Sequence, residues 1–127
     1  MHPDDIESFQ KERERLNETV SRYAGPTMRK FHGLDMQAYA AGALPARTKE
    51  LLGLVASLVL RCDDCIRYHL IRCHQEGVSD AELAECLSIG LIVGGSITIP
   101  HLRRAFASWE QLRGKDKDTG DCEEKKE

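Results

Sequence analysis

The sequence predicts an all-α domain of about six helices that assembles as a homo-oligomer. Three observations carry the prediction. Apolar residues recur at spacings of three and four along most of the chain, the period of a helix with one buried face. No segment pairs apolar–polar alternation with hairpin turn chemistry, so no strand is predicted. Two segments, LLGLVASLVL (51–60) and LSIGLIVGGSITI (87–99), are apolar on every side. A helix of that kind is buried all round, and a chain of 127 residues is too short to enclose both without a second subunit.

Ile6, Phe9, Leu16, Val20 and Tyr23 mark one face of a first helix, and KERER reads as its solvated face. Gly25-Pro26 ends it, because proline cannot continue a helix it does not start. Residues 27–43 read as one or two short helices interrupted by Gly33 and Gly42. Pro45 opens a better helix running to about residue 60. A new helix then begins near Cys62, carries CIRYHLIRCHQE and stops at Gly77. SDAE (79–82) has the serine and glutamate of a capping box and opens the next helix, which Gly94 and Gly95 break or kink. PHLRRAFASWEQL (100–112) is a last amphipathic helix. Residues 1–113 are thus expected to form a single domain. The charged tail 114–127, GKDKDTGDCEEKKE, has nothing to bury and is expected to be disordered, carrying Cys122 with it.

Composition narrows the function classes. With 41% hydrophobic and 31% charged residues the chain reads as one soluble globular domain, and a formal charge of −3 provides no basic field for nucleic acid. The amino terminus, MHPDDIESFQKERERL, has no apolar run behind a positive segment, so it is not read as a secretory signal. The apolar stretches fall short of the roughly 18 residues of a membrane span. The protein is therefore expected in the cytoplasm, with no membrane partner. Five cysteines is an odd number for a disulfide framework, which shifts weight to thiol chemistry or metal binding.

The chemistry-bearing stretch is RCDDCIRYH, residues 61–69. Both cysteines sit in the first turn of a helix, where free amide N–H groups and the positive end of the dipole favour a thiolate. Residues three apart on a helix are neighbours, so Cys62 and Cys65 lie within disulfide range. His69, four after Cys65 on the same face, is placed as a proton acceptor or donor for its sulfur. Asp63 and Asp64 oppose the thiolate, and Arg61 and Arg67 offset them in part. The same residues allow a second reading: a zinc site of Cys62, Cys65 and His69 with Glu50 or His101 as fourth ligand. Cys73 and Cys86 read as small buried hydrophobes, Tyr68 and Trp109 as packing residues. His74 and His32 read as solvent-facing, and His101 as a helix-start histidine.

KELLGLVASLVLRCDDCIRYH, with GVSDAEL and GGSITIPHLRRA after it, resembles the alkylhydroperoxidase D and carboxymuconolactone decarboxylase superfamily of small all-helical proteins. The likeness spans roughly residues 37–109. Its peroxidase branch carries a glutamate twelve residues before the first cysteine, then C-x-x-C, then histidine four after the second cysteine. Glu50, Cys62, Cys65 and His69 occupy those four positions. The best-known peroxidases have a further histidine between the cysteines, where this chain has Asp64. The resemblance implies reduction of organic hydroperoxides through a sulfenic acid and then a disulfide, with glutamate, water and histidine relaying protons. It also implies re-reduction by a dithiol or a lipoyl-type reductant protein, no cofactor or resident metal, and a trimer or hexamer. Cys65, nearer His69, is assigned the attack and Cys62 the resolution. Two alternatives stand beside this: a lactone decarboxylase with Glu50 and His69 as acid and base, and a non-enzymatic redox-sensing or zinc-holding module.

Overall fold

A computed structural model describes residues 5–118. Within them lie six α-helices, α1 (Ile6–Tyr23), α2 (Pro26–Tyr39), α3 (Ala46–Val59), α4 (Asp63–Gln75), α5 (Asp80–Gly94) and α6 (Ile99–Asp118), with a single 3-10 turn, Ser96–Thr98, between the last two. No strand occurs among the described residues.

The helix ends follow local chemistry. The Asp5 carboxylate accepts the Glu7 N–H at 3.0 Å and caps α1, and Pro26 opens α2 at a position where its missing N–H costs nothing. The capping box forms as expected: Ser79 Oγ accepts the Glu82 N–H at 3.1 Å and Glu82 accepts the Ser79 N–H at 2.9 Å. Gly77 closes α4 with φ of +78°, a left-handed conformation that glycine adopts without steric cost.

Two boundaries differ from expectation. Helix α2 passes unbroken through Gly33, because one interior glycine costs only about 1 kcal/mol and Gly33 has open space around it. Helix α6 continues to Asp118, through residues 114–118 of the expected disordered tail. A hydrogen bond of 2.9 Å between His74 Nε2 on α4 and Asp116 ties that last turn down. Residues 119–127, with Cys122, lie outside the described residues.

Helix α3 packs between α4 and α5, and α6 closes over α4. The core is Leu54 and Leu58 from α3, Ile66, Leu70 and Cys73 from α4, Leu83 and Leu87 from α5, and Ala105, Trp109 and Leu112 from α6. Gly90 faces α3 closely: a Cβ there would stand 2.8 Å from Leu58 Cδ2, so a larger residue would force the buried Leu58 side chain to shift. Helix α1 joins the core through Ile6, whose N–H donates to Gln111 Oε1 at 2.8 Å, and α2 buries no side chain.

The two apolar helices each bury one face only. Leu52, Leu60, Ile89, Ile92, Val93 and Ile97 all remain exposed, Ile92 to 81%. One chain by itself therefore leaves the second face of α3 and α5 uncovered. No helix among the described residues is long and apolar enough to cross a membrane.

Candidate functional site

After α3, Arg61 takes φ of 59°, a left-handed conformation uncommon for a residue with a Cβ, and the chain reverses into α4. The reversal is held by the Arg61 N–H on Leu58 O at 2.9 Å and the Cys62 N–H on Ser57 O at 3.1 Å. Cys62 thereby becomes the N-cap of α4, and its Sγ accepts the Cys65 N–H at 3.2 Å. The two cysteines are joined as a disulfide with Cα atoms 5.3 Å apart. Cys65 is exposed and Cys62 half-buried.

Beneath the disulfide, Glu50 of α3 and His69 of α4 meet inside the protein, 2% and 8% exposed. His69 Nδ1 stands 2.9 Å from Glu50 Oε1, and Arg72 Nε lies 3.4 Å from Glu50 Oε2. The other imidazole nitrogen, Nε2, is 3.3 Å from the Tyr39 hydroxyl at the end of α2. Gly53 makes room for this meeting. A Cβ on it would stand 2.5 Å from the Tyr39 oxygen and 2.8 Å from His69 Cε1. Burial, then the charges of Asp35 and Glu50, push the Tyr39 hydroxyl above its ordinary pKa.

Both imidazole nitrogens are thus engaged, and among the described residues no hydrogen bond joins His69 to the Cys65 sulfur. A histidine four residues after a cysteine was expected to serve that sulfur directly. Nε2 meets the Tyr39 hydroxyl instead.

The aspartates beside the cysteines are paired, Asp63 from α6 and Asp64 from within α4. Asp63 accepts from His101 Nδ1 at 2.8 Å and from Arg104 Nε at 3.1 Å, both on α6, and Asp64 pairs with Arg67 at 3.3 Å. Burial alone would raise the Asp63 carboxyl, but the His101 hydrogen bond and the Arg104 charge outweigh it and hold the pKa below the usual value. Arg104 and His101 therefore do what was expected of Arg61. The repulsion that Asp63 would exert on a nearby thiolate is reduced accordingly.

An open cavity of about 890 Å³ faces this site, walled by α1, α2 and the first turns of α4. Cys65, Tyr68 and His69 line it, and Cys62 does not. Tyr68, expected as a packing residue, lies in that lining with its ring edge-on to His69 at 5.1 Å. His32, expected to face solvent, is exposed and lines the same cavity. Trp109 is a packing residue, its Nε1–H donating to Asp80 at 2.7 Å. His74 is half-buried against Trp109 rather than free in solvent. Cys73 is fully buried, and burial, reinforced by the Glu50 charge, pushes its thiol up to about 12; burial also raises Cys86. The zinc alternative required four ligands around one point. Among the described residues no three histidine, cysteine or acidic side chains come together in that way, and His101 is turned onto Asp63.

Three residues of the site escaped the sequence reading: Tyr39, Gly53 and Arg72. Arg72 follows His69 by three and so shared its helix face, a usable signal. A glycine inside an apolar helix marks close approach by a neighbour, which pointed at Gly53 without saying what approaches. Nothing local connects Tyr39 to His69.

The chain is thus an all-helical domain with a helix-start disulfide one helical turn from a buried glutamate–histidine pair. The Carboxymuconolactone decarboxylase family model matches residues 25–108, and the chain belongs to that family. An uncharacterized protein of Cupriavidus necator is 31% identical over 85 residues, covering 67% of this chain and 75% of its own length. A crystal structure of a Thermotoga maritima protein aligns with a TM-score of 0.85 and 55% identity over 87% of this chain and 97% of that one. A second T. maritima structure, of a carboxymuconolactone decarboxylase family protein for which involvement in an antioxidative response has been suggested, gives a TM-score of 0.83 and 56% identity over 88% and 95%. A Legionella pneumophila protein of the same family, at 22% identity over 84% and 96%, shares the fold with a TM-score of 0.79.

Proposed function

We propose that the protein is a thiol-dependent peroxidase in which Cys65 attacks and Cys62 resolves. The observation that carries this is the placement of Cys65: exposed in the cavity, bonded to Cys62, and one helical turn from a histidine backed by a buried carboxylate. In the reduced protein His69 Nε2 accepts the Cys65 proton. The thiolate sulfur then attacks the distal oxygen of a hydroperoxide ROOH; the O–O bond breaks, and the alkoxide takes a proton through His69 to leave as ROH. Sulfur is oxidised to a sulfenic acid and the peroxide is reduced by two electrons. Cys62 displaces the hydroxyl, which leaves as water, and the disulfide forms.

An external dithiol or lipoyl-type reductant protein attacks the exposed Cys65 sulfur and expels Cys62 as thiolate. The helix amide that reaches Cys62 Sγ at 3.2 Å stabilises that leaving group. The suggested antioxidative involvement of the T. maritima relative agrees with this chemistry. A lactone decarboxylase would need both members of an acid–base pair open to substrate. Of Glu50 and His69 only His69 lines the cavity, and Glu50 is 2% exposed between His69 and Arg72.

The test is dithiol-driven consumption of an organic hydroperoxide, with peptide mapping after one equivalent of peroxide. Mapping is expected to find Cys62 joined to Cys65. Cys62→Ser and Cys65→Ser should each lose turnover, and Cys65→Ser should also lose the single-turnover burst. A burst retained in Cys65→Ser reassigns attack to Cys62. Wild-type turnover in either variant removes the pair as the reacting unit, as does one tightly bound zinc per chain.

A further inference from the structure

We propose that the cavity in front of Cys65 is a binding site for amphipathic monocarboxylates, with Arg13 receiving the carboxylate. The peroxidase assignment above is needed only for the reacting group of such a ligand, a hydroperoxide on its chain; the binding stands on separate observations.

The first observation is the wall. Phe9 and Leu16 of α1 and Phe31 and Met36 of α2 present apolar surface to the cavity, and Phe31 and Met36 are 70% and 74% exposed. At about 890 Å³ the cavity is in the upper part of the usual range for small-molecule sites, far more than a short alkyl hydroperoxide fills. Such a wall gains most from an extended hydrocarbon chain.

The second is Arg13. Its guanidinium lies over the Tyr68 ring at 4.4 Å and pairs with no carboxylate among the described residues. The nearby acidic groups are committed elsewhere: Glu12 to Arg15 at 2.7 Å and Asp64 to Arg67 at 3.3 Å. Asp35, the remaining lining carboxylate, acts on the Tyr39 hydroxyl and so marks the α2 end of the cavity as the end that repels an anion. A guanidinium seated over the Tyr68 ring keeps N–H donors for a second partner, and its fork of donors suits a carboxylate. Tyr68 precedes His69 and the two rings touch edge to face at 5.1 Å, so a ligand held at Arg13 is held beside the reacting groups.

The third is where this wall comes from. Phe9, Arg13 and Leu16 lie in α1, ahead of the residues 25–108 that match the family model. Arg13 and half of the apolar wall are contributed by a helix outside that shared region, as befits a device that sets substrate preference.

The experiment is calorimetric titration of the oxidised protein with decanoate and with decan-1-ol, in wild type, Arg13→Gln and Arg13→Lys. Decanoate is expected to bind at least tenfold more tightly than the alcohol to wild type, the scale of a charge-assisted hydrogen-bonded contact. The ratio should fall towards one in Arg13→Gln and be partly retained in Arg13→Lys. Equal affinities in wild type, no binding of either ligand, or a preference that survives Arg13→Gln each overturn the proposal. A second arm compares a hydroperoxide of an 18-carbon acid with its methyl ester. A protein that binds decanoate preferentially but consumes no peroxide refutes the peroxidase assignment alone. Equal turnover of acid and ester, with peroxide consumed, refutes the carboxylate site alone.

Discussion

His69 and Glu50 form a buried pair across two helices, Nδ1 to Oε1 at 2.9 Å, and the pair fixes which imidazole nitrogen is available for chemistry. With Nδ1–H donating to the carboxylate, Nε2 is the nitrogen left to face Tyr39, and His69 lines the cavity. Arg72 holds the second Glu50 oxygen at 3.4 Å, so the carboxylate keeps its orientation whichever partner occupies Nε2. Removing Glu50 leaves the buried His69 Nδ1–H without its acceptor, a loss of about 1–3 kcal/mol, whereas removing His69 leaves Glu50 still paired with Arg72.

Glu50→Gln preserves size and is expected to slow the reaction of Cys65 with peroxide by about 10²-fold, the usual scale of general acid–base assistance. His69→Gln should cost a similar factor, and the double variant little more, since groups acting as one relay are non-additive. The pH dependence of Cys65 alkylation in the three variants checks this. An unchanged profile in Glu50→Gln removes the relay, and losses that multiply in the double variant make the two residues independent.

Gly53→Ala should damage the site from the far side. Its Cβ would stand 2.5 Å from the Tyr39 oxygen and 2.8 Å from His69 Cε1, an overpacking of about 1–3 kcal/mol. Adding Tyr39→Phe removes the closest atom and should restore part of the stability. Chemical denaturation of the single and double variants measures the coupling; a fully stable Gly53→Ala would mean the helices are free to part.

Cys73 should resist alkylation in the native protein at pH 8, where reduced Cys65 reacts. Its folded pKa of about 12 lies above the roughly 8.5 of a free thiol. A raised folded pKa means that the contribution to stability is whole below about pH 8.5 and is lost as pH climbs towards 12. Cys73→Ala should flatten the alkaline limb of the stability profile; a limb as steep as wild type would assign it to other groups.

The uncovered faces of α3 and α5 are expected to be buried between copies of the chain. Light scattering should report a trimer or hexamer, and Leu60→Lys or Ile92→Lys should lower the mass. A monomer at micromolar concentration would leave Ile92, 81% exposed, and its neighbours as bare apolar surface.

The sequence by itself determined the helix order and the placing of Cys62, Cys65 and His69 on one helix, while Glu50 entered through the family resemblance. Both depend on short-range rules: apolar periodicity, Gly25-Pro26, the Ser79–Glu82 box, Gly77, and the spacing of Cys62, Cys65 and His69 on one helix. The continuous α2 was misjudged because a single glycine is a weak helix breaker that neighbouring turns outweigh. The helical last turn of α6 was missed because its anchor, His74, lies on another helix. Only the tertiary structure decided that Glu50 is buried against His69, that Tyr39 takes Nε2 from 30 residues away, that α6 neutralises Asp63 from 38 residues away, and that Cys65 rather than Cys62 faces a cavity. Those relations depend on how rigid helices cross and on where Gly53 and Gly90 let them approach, which is set by the packing of the whole core and leaves no local pattern along the chain.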